Sequence, residues 1–213
     1  MTESTGSTTM AINAALVKGL REKTGAGMME CKTALLESGG DLAAAEKILR
    51  TKGLAAAARK SARATAEGAI GSYIHAGGKL GVILELNCET DFVARTDQFQ
   101  GLLKDIAMHI AAANPRFVAR EEVTPAILDA EREIYRAQAA ATGKPAGVVE
   151  KIVDGKLEKF YEEFCLLEQP FVKDQETTVG ALIAAAVAKI GENIRVKRFA
   201  RFQLGEESGR ASE

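Results

Sequence analysis

The sequence predicts an α+β fold: a small helical bundle, then a three-stranded antiparallel sheet with packed helices and a helical hairpin. Three observations carry this expectation. Apolar residues recur at helical spacing through residues 12–53. Two alternating apolar runs flank a Gly77-Gly78 turn. A last alternating run, "IRVKRFARFQL", closes the chain after one further helix.

The bundle is expected over 12–54 as three short helices. "INAALVKGLREKTG" places Ile12, Leu16, Val17 and Leu20 on one face and stops at Gly25. "GMMECKTALLESGG" turns Met28, Cys31 and Leu35 inward and ends on Gly-Gly. "DLAAAEKILRTKG" reads as a helix with Asp41 as N-cap, Leu42, Ala45, Ile48 and Leu49 inward, and Gly53 as C-cap. Ala-rich, basic residues 55–67 follow as a linker helix whose Arg59, Lys60 and Arg63 face solvent.

An α+β core is expected over 68–205. In its first two strands, "GAIGSYIHA" and "KLGVILELN", one face holds Ile70, Ser72 and Ile74, and one holds Val82, Leu84 and Leu86. "DQFQGLLKDIAMHIAAAN" spaces Phe99, Leu102, Leu103, Ile106 and Ile110 as a helix that Asn114-Pro115 ends. Helices near 125–142 and 146–164 meet at "TGKPAG" and form an antiparallel hairpin over 125–164. A helix after Pro170 buries Val179, Leu182, Ile183, Ala186 and Ile190. The final strand alternates Ile194, Val196, Ala200, Phe202 and Leu204 against Arg195, Lys197 and Arg201. Polar residues 1–11 read as a disordered leader, with Met1 and Met10 both open as the native start, and 206–213 as a flexible tail.

Composition narrows the function. No apolar run is long enough to span a bilayer, and the polar opening is not a secretory signal. Cys31, Cys88 and Cys165 are widely spaced and odd in number, which points to a reducing cytoplasm rather than a disulfide or zinc framework. A net charge of −1 gives no general pull toward nucleic acid. "TGAGMMECK" fails as a phosphate loop, because no strand precedes it and Glu30 would repel a phosphate. "HAGGKL" fails as well, since Leu80 follows Gly78-Lys79 where Ser or Thr is required. His75 and His109 have no neighbouring cysteine, so no metal site is expected. The expectation is a chain without cofactor that works through its surfaces rather than by covalent catalysis.

Three stretches stand out on those terms. Met28 and Met29 open a helix together and point about 100° apart, so either one is exposed to a partner or both fill an imperfect core. In "NCETDFVAR", Thr90 caps a helix, and Phe92 is either a staple to the core or a tip that enters a partner pocket. His109, beside an apolar stripe, is either a satisfied packing residue or a contact residue.

Six phrases now carry a resemblance. "LVKGLREKTGAGMMECKTAL", "NCETDFVAR", "AMHIAA", "GKP", "EQPFVKD" and "KIGENIRVKRF" occur in that order from about residue 12 to residue 205, and together they closely resemble the elongation factor Ts family. The resemblance implies a guanine-nucleotide exchange factor for elongation factor Tu in translation elongation, acting on both GDP-bound and nucleotide-free Tu. It implies a bundle similar to ubiquitin-associated domains, docking on Tu through residues matching Arg21, Met28, Met29 and Lys32. It implies that Thr90, Asp91, Phe92 and Val93 form the region that dislodges magnesium from Tu, and that His109 contacts Tu. Longer relatives carry two copies of the core; here "TDFVAR" and "AMHIAA" lie on one continuous helical region, as in the short form. That form implies a homodimer and a two-Tu, two-Ts assembly, with the hairpin and the cores as pairing surfaces. Ala200 stands where some short relatives carry a cysteine, so no covalent link is expected there. A non-catalytic adaptor that binds peptides or ubiquitin-like partners through the bundle is the alternative reading.

Overall fold

The computed structural model describes residues 13–141, 143 and 145–206. The leader expected over 1–11, Ile12 and the tail past residue 206 lie outside these. The chain divides into two compact units, Met1–Arg63 with Ala184–Asn193, and Ala64–Ile183 with Ile194–Glu213. Each is described by itself.

The first unit holds α1 (Ala14–Thr24), α2 (Met28–Glu37) and α3 (Leu42–Lys60). Local chemistry sets their ends. Asn13 caps α1 by accepting from Ala15 N–H at 2.9 Å, and Gly25 closes it at φ 68°, a conformation glycine adopts without a Cβ penalty. Asp41 accepts from Ala44 N–H at 2.9 Å and caps α3. Val17, Leu20, Cys31, Ala34, Leu35 and Ala45 form the core of the bundle, with Leu16, Ile48 and Leu49 packed on it. Leu42, expected inward, is instead exposed, and Met28 is exposed as well; each is the first residue of its helix.

α3 does not stop at Gly53. It runs on to Lys60 through the helix-forming alanines, and no helix covers residues 61–66, so the separate linker helix is absent. Residues Ala184–Asn193, expected in the core, cluster with the bundle. There Gly53 faces Ala188, and the buried Asn193 side chain donates to the carbonyls of Ser61 and Arg63 at 3.3 and 2.8 Å.

The second unit is built on an antiparallel sheet of β1 (Glu67–Ile74), β2 (Leu80–Cys88) and β5 (Arg195–Gln203), with β2 in the middle. One face of β2, Val82, Leu84, Leu86 and Cys88, is fully buried. Against it lies α5 (Asp97–Ala113), which inserts Phe99, Leu103, Ile106 and Ile110. The approach is close: a Cβ on Gly71 of β1 would stand 1.8 Å from the Leu103 Cδ2.

The last strand corrects the expected alternation. Its register against β2 shifts between Glu85 and Leu86, so that Leu86 faces Val196 while Glu85 faces Arg198. The extra residue at Lys197 is a β-bulge, and one added residue exchanges the two faces of everything beyond it. Ala200 and Phe202 therefore leave the face of Val196 and join Ile83 and Gly81 on the other side of the sheet. On that side Ile70, Ile74, Ile83 and Phe202 are exposed.

α6 (Pro125–Ala140) and α7 (Ala146–Phe164) pack as the expected hairpin, with Ala139 against Val149 and Val153 at one end and Ile127 and Leu128 near Phe160 at the other. Arg120 fastens its base by pairing with Glu158 and Glu168 while lying 4.3 Å from the Tyr161 ring. A small ribbon not foreseen in the sequence, β3 (Pro170–Phe171) with β4 (Asp174–Thr178), precedes α8 (Val179–Ile190). Among the described residues no helix is long and apolar enough to cross a membrane.

Two glycines test this account. Gly71→Ala should destabilise the chain by about 1–3 kcal/mol through overpacking against Leu103. Gly101→Ala, at an exposed position inside α5 with nothing within 4 Å of the added methyl, should stabilise it by roughly 0.5–1 kcal/mol. Urea unfolding of both variants measures the two shifts, and equal effects of one sign would refute the packing assignment.

Candidate partner-docking site at the end of β2

β2 delivers the chain to a corner. Its last residue, Cys88, is buried, and its thiol donates to the Thr90 carbonyl at 3.1 Å. Thr90 is extended (φ −129°, ψ 153°), and its hydroxyl accepts from Val93 N–H at 3.3 Å, capping the single turn α4 (Asp91–Ala94). Val93 and Ala94 are buried. Successive helical residues are about 100° apart, so a turn anchored by Val93 and Ala94 must present Asp91 and Phe92 outward.

Phe92 is 77% exposed, so it is not stapled to the core. Burying such a ring is worth roughly 1.5–3 kcal/mol, and this chain leaves that gain unused. Beside it the Asp91 carboxylate accepts from Arg95 Nη2 at 2.7 Å. Both partners of this pair are exposed, so it adds little stability but keeps the carboxylate over the first turn of α4. α4 and α5 are separate helices: Thr96 opens α5 by accepting from Phe99 N–H at 3.3 Å, so the expected continuous helix is broken at Arg95–Thr96.

In the first unit Arg21, Met28, Met29 and Lys32 are all exposed, on the last turn of α1 and the first turns of α2. Met28 and Met29 are both exposed, and Gly27 caps α2 ahead of them, its N–H donating to the Glu30 carboxylate at 3.0 Å.

His109 is placed differently. Its ring is fully buried within the second unit, so here it presents no surface to a partner. Val172 N–H donates to Nδ1 at 3.3 Å, which leaves the proton on Nε2 to donate to Gln169 Oε1 at 2.9 Å. The Gln169 amide in turn donates to the Glu163 carbonyl at 2.6 Å. The packing reading of this histidine is therefore the one the geometry of the free chain satisfies. Gln169, within the phrase "EQPFVKD", has no local signal in the sequence, because its partner histidine lies 60 residues away. Among the described residues no group of three or more His, Cys, Asp and Glu could hold a metal ion.

These features define a class first: an α+β protein that presents an aromatic tip and an adjacent carboxylate on a capped turn. A sequence profile described as Elongation factor TS matches residues 44–206. Elongation factor Ts of Koribacter versatilis is 64% identical over 197 residues, covering 92% of this chain and 90% of that protein. Elongation factor Ts of Geobacter sulfurreducens is 60% identical over 197 residues, covering 92% and 91%, and that of Solibacter usitatus 58% over 198 residues, covering 93% of each. The chain belongs to the elongation factor Ts family.

Burial, despite the bond to Gln169, pushes the His109 pKa below its ordinary 6.5. The neutral ring is thus favoured by folding, and its contribution is present above 6.5 and lost as pH falls from there toward the lowered folded value. The urea midpoint should therefore drop between about pH 7.5 and about pH 5, and His109→Gln should flatten part of that drop while lowering stability at the higher pH. An unaltered pH slope in the variant would remove His109 as the cause.

Proposed function

We propose that this chain is a guanine-nucleotide exchange factor for elongation factor Tu, promoting GDP release during translation elongation in the cytoplasm. The observation that carries the reading is Phe92, exposed beside Asp91 on a turn whose neighbours Val93 and Ala94 are buried. GDP is held through its phosphates and a magnesium ion that neutralises them, so displacing the groups that orient the metal loosens the nucleotide. In this reading Thr90 and Val93 fix the turn, Phe92 wedges between side chains of Tu, and Asp91 displaces the groups around the metal without ligating it. The chain performs no covalent step. By linkage, a factor that binds nucleotide-free Tu best weakens nucleotide binding by the same factor.

Arg21, Met28, Met29 and Lys32 dock the bundle, which we read as similar to a ubiquitin-associated domain, on the nucleotide-binding domain of Tu. Two methionines exposed at one helix start supply adaptable apolar contact, and the two cations frame it. His109 supports the fold from inside rather than touching Tu. An adaptor acting through the bundle alone would leave the exposed Phe92 without a task.

The chain also pairs with a second copy, giving a two-Tu, two-Ts assembly. What supports this is the second face of the sheet, where Ile70, Ile74, Ile83 and Phe202 are more exposed than a monomer's stability favours.

Release of a fluorescent GDP from Tu is expected to accelerate strongly on adding the chain. Phe92→Ala, with the fold intact, should lose roughly thirtyfold or more of that acceleration, as for a hot-spot residue worth about 2 kcal/mol. Unchanged GDP release with the wild-type chain would sink the assignment. Sedimentation should show a dimer that Ile83→Lys converts to a monomer, and a wild-type chain that stays monomeric at every concentration would overturn the pairing.

A further inference from the structure

α4 is four residues long, and a helix that short does not sustain itself, because nucleating a turn costs more than its first backbone bond returns. Its polar groups are met mainly from outside. The Val93 carbonyl receives the Thr96 amide at 3.0 Å and the Thr96 hydroxyl at 2.8 Å. The Ala94 carbonyl, last of the turn, receives the side-chain amide of Gln100 at 2.7 Å. Gln100 stands in the first turns of α5, where its own N–H donates to the Thr96 carbonyl at 3.0 Å. One side chain thus ties the far end of α4 to the helix that is seated on the sheet.

We infer that Gln100 is a positioning residue for the Phe92 tip, its amide on the Ala94 carbonyl keeping α4 formed before any partner arrives. This rests on the reading of Phe92 as the element that engages Tu. A tip already ordered loses less conformational freedom on docking than one that must fold against its partner, so preforming the turn raises the fraction of encounters that reach the exchange step. Gln100 itself touches neither Tu nor nucleotide in this scheme. It acts through the backbone of Ala94.

The test uses the full chain with two substitutions. Gln100→Met keeps the length of the side chain and removes the donor, and Gln100→Lys restores a donor of similar reach. On the chain alone, Gln100→Met should speed amide hydrogen exchange at residues 93–96 while leaving β2 and the body of α5 protected, and Gln100→Lys should recover most of the protection. With Tu present, Gln100→Met should lower the maximal GDP-release rate about three- to tenfold, the factor for one lost hydrogen bond, without changing the half-saturating concentration that the bundle sets. Gln100→Lys should bring the rate back. If Gln100→Met matches the wild type in rate and protection, or Gln100→Lys is as impaired as Gln100→Met, the inference falls. The proposed function fails separately: it is lost if the wild type does not accelerate GDP release, whereas the exchange at residues 93–96 is read without Tu.

Discussion

The architecture of the second unit depends on how closely α5 can approach β1. Gly71 leaves the space that Leu103 fills, and a single methyl group there would lie inside the van der Waals radius of a leucine carbon. That contact sets the depth at which Phe99, Ile106 and Ile110 enter the sheet. α5 begins at the Thr96 cap, directly after α4. α4, between Thr90 and Thr96, is held by those two caps and by the Gln100 amide on the Ala94 carbonyl. With Val93 and Ala94 buried on that turn, Phe92 points outward.

The helices were legible in the sequence because period and punctuation agree. Gly25, Asp41, Thr90 and Asn114 end or begin helices as their chemistry dictates, with Asn114 in the left-handed region at φ 49°. Gly53 misled, since a glycine costs only about 1 kcal/mol inside a helix and the alanines after it favour continuing. The bulge at Lys197 was invisible because "RVKRFARF" alternates without a break; the irregularity belongs to the pairing with Glu85 and Leu86, not to the strand itself. Reading one strand at a time therefore assigned Ala200 and Phe202 to the wrong face.

The candidate site was legible in part for the same reason. Thr90 as a cap is local and was readable. Whether Phe92 is stapled inward is decided by Val93, Ala94 and the seat of α5, which pairing at long range determines. His109 and Gln169 satisfy each other across 60 residues, and such a buried polar pair is recognisable only once the helix end and the ribbon are brought together. The chemistry of that pair is conservative: each polar atom finds a partner, so the cost of burial is met and the ring remains neutral.

An exposed phenylalanine needs a physical reason, since turning the ring inward would gain roughly 1.5–3 kcal/mol. Rotating α4 by one residue to bury Phe92 would bring out Val93 or Ala94 and separate Val93 N–H from the Thr90 hydroxyl. A buried side chain and a cap would be exchanged for one ring, against a sheet that α5 already covers. The exposed state is thus the favoured one for the free chain, although it is unfavourable for the ring alone. The free energy withheld from folding remains available on the surface, and a partner with a pocket of the right shape is what can recover it.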